Sequence, residues 1–130
     1  MSKRLHRRDS EREQKIELNF LERVAKRIPK ETWVLKPLGD LYTRCGEFEK
    51  GLQVDLNLTQ LCPQEPEVWY NLGCSFALLE RTADAIVALQ KAVEFGYTDA
   101  EYMRKDEDLA TIRNQPEFER LVRGLERDGE

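Results

Sequence analysis

The stretch Trp69-Tyr70-Asn71-Leu72-Gly73, followed by Phe76, Ala85, Leu89 and Ala92, decides how this chain is read. Moved back by 34 residues, it meets a second copy of itself without a gap. Leu35, Leu38, Gly39 and Tyr42 stand under Trp69, Leu72, Gly73 and Phe76, while Gly51, Leu58 and Pro63 stand under Ala85, Ala92 and Tyr97. A self-match at a fixed period of roughly 20–50 residues marks an array of stacked supersecondary units.

Each residue type in the pattern has a physical task. Trp69, Leu72 and Phe76 recur at spacings of three and four, which places them on one face of a helix. Gly73 and Ala85 are small, as expected where two paired helices approach most closely. A larger side chain there costs about 1–3 kcal/mol in overpacking. Ala85, Ile86, Leu89, Ala92 and Val93 continue an apolar stripe on the second helix of the pair. Pro63 has no N–H and stops the helix before it.

With its period and its Trp-x-x-Leu-Gly core, the second copy resembles the tetratricopeptide repeat, whose pattern runs W-x-x-L-G-x-x-Y, then A-x-x-x-F, then P. Trp69, Leu72, Gly73 and Ala85 match outright, Phe76 replaces Tyr, Leu89 replaces Phe, and Tyr97 stands where Pro is usual. The resemblance implies an all-α fold, a right-handed αα-superhelix of about seven helices. It covers residues 11–126 as one domain: an N-terminal capping helix at 11–29, repeats at 32–65 and 66–99, and a degenerate closing repeat at 100–126.

The ends of that domain follow from the same register. Pro29 lies one period before Pro63 and closes a run with Ile16, Phe20, Leu21, Val24 and Ile28 as its stripe. This looks like the second helix of a repeat whose first helix is missing. After Tyr97 the match decays, because Asp106 and Glu107 replace Leu and Gly. Thr98-x-x-Glu101 and Asn114-x-x-Glu117 read as capping boxes. They predict short helices near 99–104 and 107–113 and a closing helix near 115–126. The run 108–118 resembles the degenerate closing segment of many bacterial tetratricopeptide proteins, with Phe118, Leu121, Val122 and Leu125 covering the end of the stack. Two positions depart from the family. Pro37 falls inside the first helix of the first repeat, which must start late or bend. Asp55 sits where a large apolar residue is usual.

Composition excludes several classes of function. The chain is 40% hydrophobic and 35% charged, with a net charge of -4 divided unevenly. Residues 1–30 hold ten Lys/Arg against five Asp/Glu, and residues 31–130 hold eleven against twenty. A nucleic-acid-binding domain would be basic on its folded part, so no nucleic-acid partner is expected. Residues 1–10 are expected to be a basic flexible tail. No stretch reaches the roughly 18 apolar residues of a membrane helix, and no signal-peptide pattern is present. Cys45, Cys62 and Cys74 lack metal-ligand or redox spacing, which suggests reduced thiols in a cytoplasmic protein. His6 is the sole histidine, so no histidine-based triad forms in the folded body. Nothing resembles a phosphate loop or a calcium loop. No catalysis, cofactor or metal is expected.

The resemblance implies a protein-interaction scaffold. In the tetratricopeptide family the first helices of successive repeats line a concave groove that holds partner peptides. Carried over by position, that groove takes Trp33, Lys36, Asp40 and Arg44 from the first repeat and Tyr70, Asn71, Cys74 and Leu78 from the second. The degenerate unit adds Arg104 and Lys105. The resemblance thus implies a short peptide or helix of another protein as ligand, on a monomer or weak homo-oligomer. A self-associating structural subunit of a larger assembly is the alternative, and a basic-tailed accessory factor for RNA or membrane is a lesser one. The carboxylate-gripping variant of the groove is excluded, because Asp40 and Glu101 are negative where that variant places Asn and Lys, and each would repel a ligand carboxylate.

Overall fold

A computed structural model describes residues 3–129, with side chains described from residue 10 onward. Among the described residues the chain forms seven α-helices and one 3-10 helix: α1 (Lys3–Arg27), α2 (Thr32–Arg44), α3 (Phe48–Leu61), α4 (Pro66–Leu78), α5 (Thr82–Glu94), α6 (Ala100–Lys105), the 3-10 helix (Glu107–Ile112) and α7 (Pro116–Asp128). The all-helical expectation holds. The chain divides into two compact units, one ending at Val54 and the other beginning at Asp55, inside α3.

The 34-residue period reappears in the backbone hydrogen bonds. Between helices, Glu31 N–H donates to the Ile28 carbonyl at 3.2 Å, and one period later Glu65 N–H donates to Cys62 at 3.1 Å. At the ends of α2 and α4, Glu47 N–H donates to Tyr42 at 2.8 Å and Arg81 N–H to Phe76 at 2.9 Å. These closing bonds follow the Schellman pattern, which needs one residue in the left-handed region. Gly46 supplies it in the first repeat with φ 78°, at no steric cost. One period on, Glu80 adopts φ 59° in the same role, the non-glycine residue among those described that does so.

In the first unit Leu21, Val34, Leu38, Leu41 and Tyr42 form the core, with Leu18, Val24, Ala25, Ile28 and Val54 packed against it. Tyr42 is tied down by its hydroxyl, which donates to Glu22 Oε2 at 2.6 Å. Burial together with that carboxylate pushes the phenol pKa up. Pro37 lies inside α2, which nonetheless begins at Thr32, so the late start is ruled out. Gly51 permits the approach of α3: a Cβ there would meet Thr43 Oγ1 at 3.1 Å.

In the second unit α4 packs along α5, where Ala85, Ile86, Ala88, Leu89 and Ala92 are buried. Gly73 is the point of closest approach, as its position in the repeat implies. Trp69 is half-buried, stacked on Phe95 at 6.2 Å, and its indole Nε1–H donates to the Pro63 carbonyl at 2.8 Å. Asp55 is buried and accepts a hydrogen bond from the Ser75 hydroxyl. A polar pair therefore replaces the large apolar residue usual in the family, and each group satisfies the other. Phe118, Val122 and Leu125 of α7 are buried as expected, with Met103, Leu109 and Ile112 beside them in the core, while Leu121 is only half-buried.

Three local expectations need correction. α1 begins at Lys3, ahead of the expected start at residue 11; Met1, Ser2 and the side chains of residues 3–9, which belong to the expected basic tail, lie outside the described residues. The segment expected as a helix near 107–113 is a 3-10 helix. The caps move by one residue: Asp99 takes the Tyr102 N–H, and Gln115 precedes α7 without a side-chain cap. Pro116 occupies the first turn of α7, where its missing N–H costs nothing.

Candidate functional site

α2 has two opposed faces. Val34, Leu35, Leu38, Leu41 and Tyr42 point into the core. Trp33, Lys36, Asp40 and Arg44, spaced three, four and four apart, fall on the other side and are all exposed. The Arg44 guanidinium pairs with Asp40 Oδ2 at 3.2 Å, a bond in water that adds little to stability but holds both side chains along the helix. Trp33 is 65% exposed. The sequence-derived first-repeat residues therefore form one continuous outward strip, with an indole at one end and charges of both signs behind it.

The second unit is arranged differently. Asn71 is exposed and Leu78 half-buried, whereas Tyr70 and Cys74 are buried. The cause lies 32–36 residues further along the chain. Asp106 replaces the leucine of a regular repeat and ends α6, and its carboxylate turns back onto α4. Its Oδ2 accepts from the Tyr70 hydroxyl at 2.7 Å and from the Cys74 thiol at 3.7 Å, and its Oδ1 accepts the Asp108 N–H at 3.0 Å. The Thr111 hydroxyl adds a bond to the Ala77 carbonyl at 2.8 Å. A carboxylate drawn partly out of water needs such donors, and this one finds three. The 3-10 helix thus closes over the face of α4 that the repeat register assigns to a ligand.

The electrostatics of this node follow from its geometry. Burial first, and then the Asp106 bond and its charge, raise the Tyr70 phenol, and burial raises the Cys74 thiol well above its ordinary range, with Asp106 and Asp108 adding to the effect. Tyr97 stacks on Tyr70 at 4.5 Å, and its phenol is pushed up to about 12, first by burial. All three groups stay protonated at neutral pH. Cys74, Asp106 and Asp108 bring their ligand atoms within 4.8 Å of one another. Cys74 donates to Asp106 through its thiol, and Asp108 through its backbone N–H.

Arg104, expected on the binding surface, is occupied in tying α6 to α7. Its guanidinium makes two parallel bonds to Glu119, both 3.0 Å, and two more to Glu126, at 2.9 and 2.8 Å. These bonds hold the Glu119 carboxyl down at about 2, helped by Arg123. Lys105 is exposed and pairs with Glu101 at 2.8 Å. Repeat-register reasoning missed Tyr102, which is 57% exposed on α6 with its ring 6.0 Å from Tyr70. Its equivalent one period earlier is Val68, a buried core position, so the register pointed away from it. The signal available was its place two residues before Arg104, on a short helix bearing charges of both signs.

No family model matches the chain. A curated relative, a chloroplastic protein of Arabidopsis thaliana, is 28% identical over 85 residues, covering 63% of this chain and 25% of the relative. The chain therefore spans about a quarter of that protein's length. Among solved structures, one described as MamA MSR-1 C2 superposes with a TM-score of 0.66 at 17% identity, covering 87% of this chain and 67% of that one. At this identity the likeness speaks to the fold alone, and that fold is a tetratricopeptide-like helical repeat.

Proposed function

We propose that this chain is a tetratricopeptide-family adaptor that catalyses nothing itself and binds another protein, taking up a short peptide or a helix of it. The carrying observation is Trp33, a large aromatic left in water at the end of a strip that continues through Lys36, Asp40 and Arg44. Exposed aromatics beside arginine concentrate binding energy when a partner covers them. In the second unit the groups open to a ligand are Asn71, Leu78, Lys105 and the tyrosine missed above, Tyr102. Tyr70, Cys74 and Arg104 support that surface from beneath or beside it. The helical-repeat likeness adds weight, since such folds present helix faces to partners. Three free cysteines fit a reducing, cytoplasmic setting.

The test is affinity capture from the native host's lysate with wild type and with a Trp33→Ala/Arg44→Glu double variant, read by mass spectrometry. Both substitutions are on the surface, so helicity should be unchanged. The expected result is loss of specific partners by the variant. Full retention of every partner by a folded variant overturns the assignment to the α2 face. Light scattering on wild type separates the self-association alternative, for which a stable oligomer abolished by the same substitutions would be the signature.

A further inference from the structure

Pro37 is exposed in the middle of α2, between Trp33 and Asp40. At spacings of four, three and four, Trp33, Pro37, Asp40 and Arg44 fall along one line of the helix. A proline has no N–H, so the Trp33 carbonyl lacks the donor that residue i+4 supplies in an α-helix. The pyrrolidine ring also crowds that carbonyl. Among the described residues no turn or loop N–H reaches it. Trp33, Lys36 and Pro37, which surround it, are all exposed, so water is its partner in the free chain. One period on, Asn71 takes the place of Pro37 and keeps an N–H for the Glu67 carbonyl inside α4. The open acceptor belongs to the first repeat.

A partner that covers the Trp33 indole, which is 65% exposed, strips water from the carbonyl beside it. It must then bring a donor of its own, or leave a buried acceptor unpaired at more than the net worth of an ordinary hydrogen bond. Charge makes no choice here, since Lys36 and the Asp40–Arg44 pair present both signs. The donor does. Inside a helix the N–H groups are already bonded to their own carbonyls, whereas an extended segment carries free main-chain N–H groups along its length.

We propose, on the assignment of the α2 face above, that Pro37 sets the ligand class. The face takes an extended peptide segment, one main-chain N–H of which donates to the Trp33 carbonyl while an apolar side chain beside it covers the indole.

The probe comes from random peptides of about ten residues, long enough when extended to outrun α2, displayed on phage and selected on the full chain. Counter-selection on Trp33→Ala/Arg44→Glu keeps those that need the α2 face. The best survivor is synthesised with a fluorophore. Each main-chain N–H is replaced in turn by an ester oxygen, which removes the donor, and each side-chain donor is truncated. Anisotropy should show one ester weakening binding to wild type by roughly two- to tenfold, the worth of one net hydrogen bond. Pro37→Ala restores the helical donor, so it should bind the parent peptide more weakly by a similar factor and be indifferent to that ester. Its urea midpoint should not fall, and its new amide at position 37 should be protected from hydrogen exchange. Fast exchange of that amide overturns the proposal. So do ester effects that are identical in the two proteins, a coupling found only at a side-chain donor, and a peptide that binds as a helix and ignores every ester. A Trp33-dependent peptide indifferent to Pro37 sinks this proposal and leaves the α2 reading standing, whereas counter-selection that leaves no peptide removes both.

Discussion

Gly73→Ala sets two effects of opposite sign against each other, and the structure supplies the means to decide between them. In an ordinary helix interior, replacing Gly by Ala stabilises by roughly 0.5–1 kcal/mol through the entropy of the unfolded chain. At Gly73, however, a Cβ would lie 2.8 Å from both Leu89 Cγ and Cδ2 and 3.3 Å from the Ala85 carbonyl oxygen. Carbon pairs prefer about 3.5–4.0 Å, so α4 and α5 must separate by several tenths of an ångström or Leu89 must turn. Leu89 is fully buried and has nowhere to turn. Overpacking of this kind costs about 1–3 kcal/mol, which leaves a net loss of up to about 2.5 kcal/mol. For a chain of this size that is a fall in Tm of up to about 10 °C. Gly124 is the internal control: it lies in α7 with nothing within 4 Å of its added Cβ. Gly124→Ala should therefore raise Tm by about 2–4 °C through the same entropic effect. Thermal and urea melts followed by circular dichroism measure both. In a Leu89→Ala background the clashing carbons are gone, and Gly73→Ala should then turn stabilising, by up to about 0.5–1 kcal/mol. A Gly73→Ala protein that melts at or above wild type would refute the close-approach argument.

Four further outcomes follow from individual contacts. Glu80→Gly should stabilise by about 1 kcal/mol, because a left-handed turn costs a non-glycine residue about 1–2 kcal/mol and glycine's freedom in the unfolded chain returns part of that; an unchanged urea midpoint would contradict it. Asp106→Ala should cost about 1–3 kcal/mol by leaving the buried Tyr70 hydroxyl without its acceptor, and a Tyr70→Phe/Asp106→Ala pair should cost less than the sum of the singles in a double-variant cycle. Glu119, held at about 2 when folded against an ordinary 4.5, contributes stability that is fully present above pH 4.5 and is lost as the pH falls toward 2. Urea midpoints should decline across that window, and Arg104→Gln should flatten the decline; equal slopes in both proteins would remove the pairing as its cause. Cys74, buried with its thiol pKa raised, should resist iodoacetamide in the native protein while half-buried Cys62 reacts, as peptide mass spectrometry would show. Labelling of Cys74 as fast as Cys62 would show that the α4 face is open.

The amino-acid sequence by itself determined the repeat. Gly73, Ala85 and the spacing of Trp69, Leu72 and Phe76 report helix pairing because close approach and periodic burial act on neighbours in the chain. Prolines 29 and 63, one period apart, mark interhelical junctions for an equally local reason. The apolar and charged faces of α2 were legible in the same way, since Trp33, Lys36, Asp40 and Arg44 need only the helical period to stand together. The tertiary structure alone decided which of the candidate residues meet solvent. Tyr70 and Cys74 are covered because Asp106, more than thirty residues later, interrupts a helix and turns its carboxylate back onto them. Arg104 is occupied because Glu119 and Glu126 arrive from α7. Glu80 takes a left-handed turn that its own residue type disfavours, imposed by the helices on either side. A periodic pattern shows which face of a helix is apolar, but exposure depends on what a distant segment places over it.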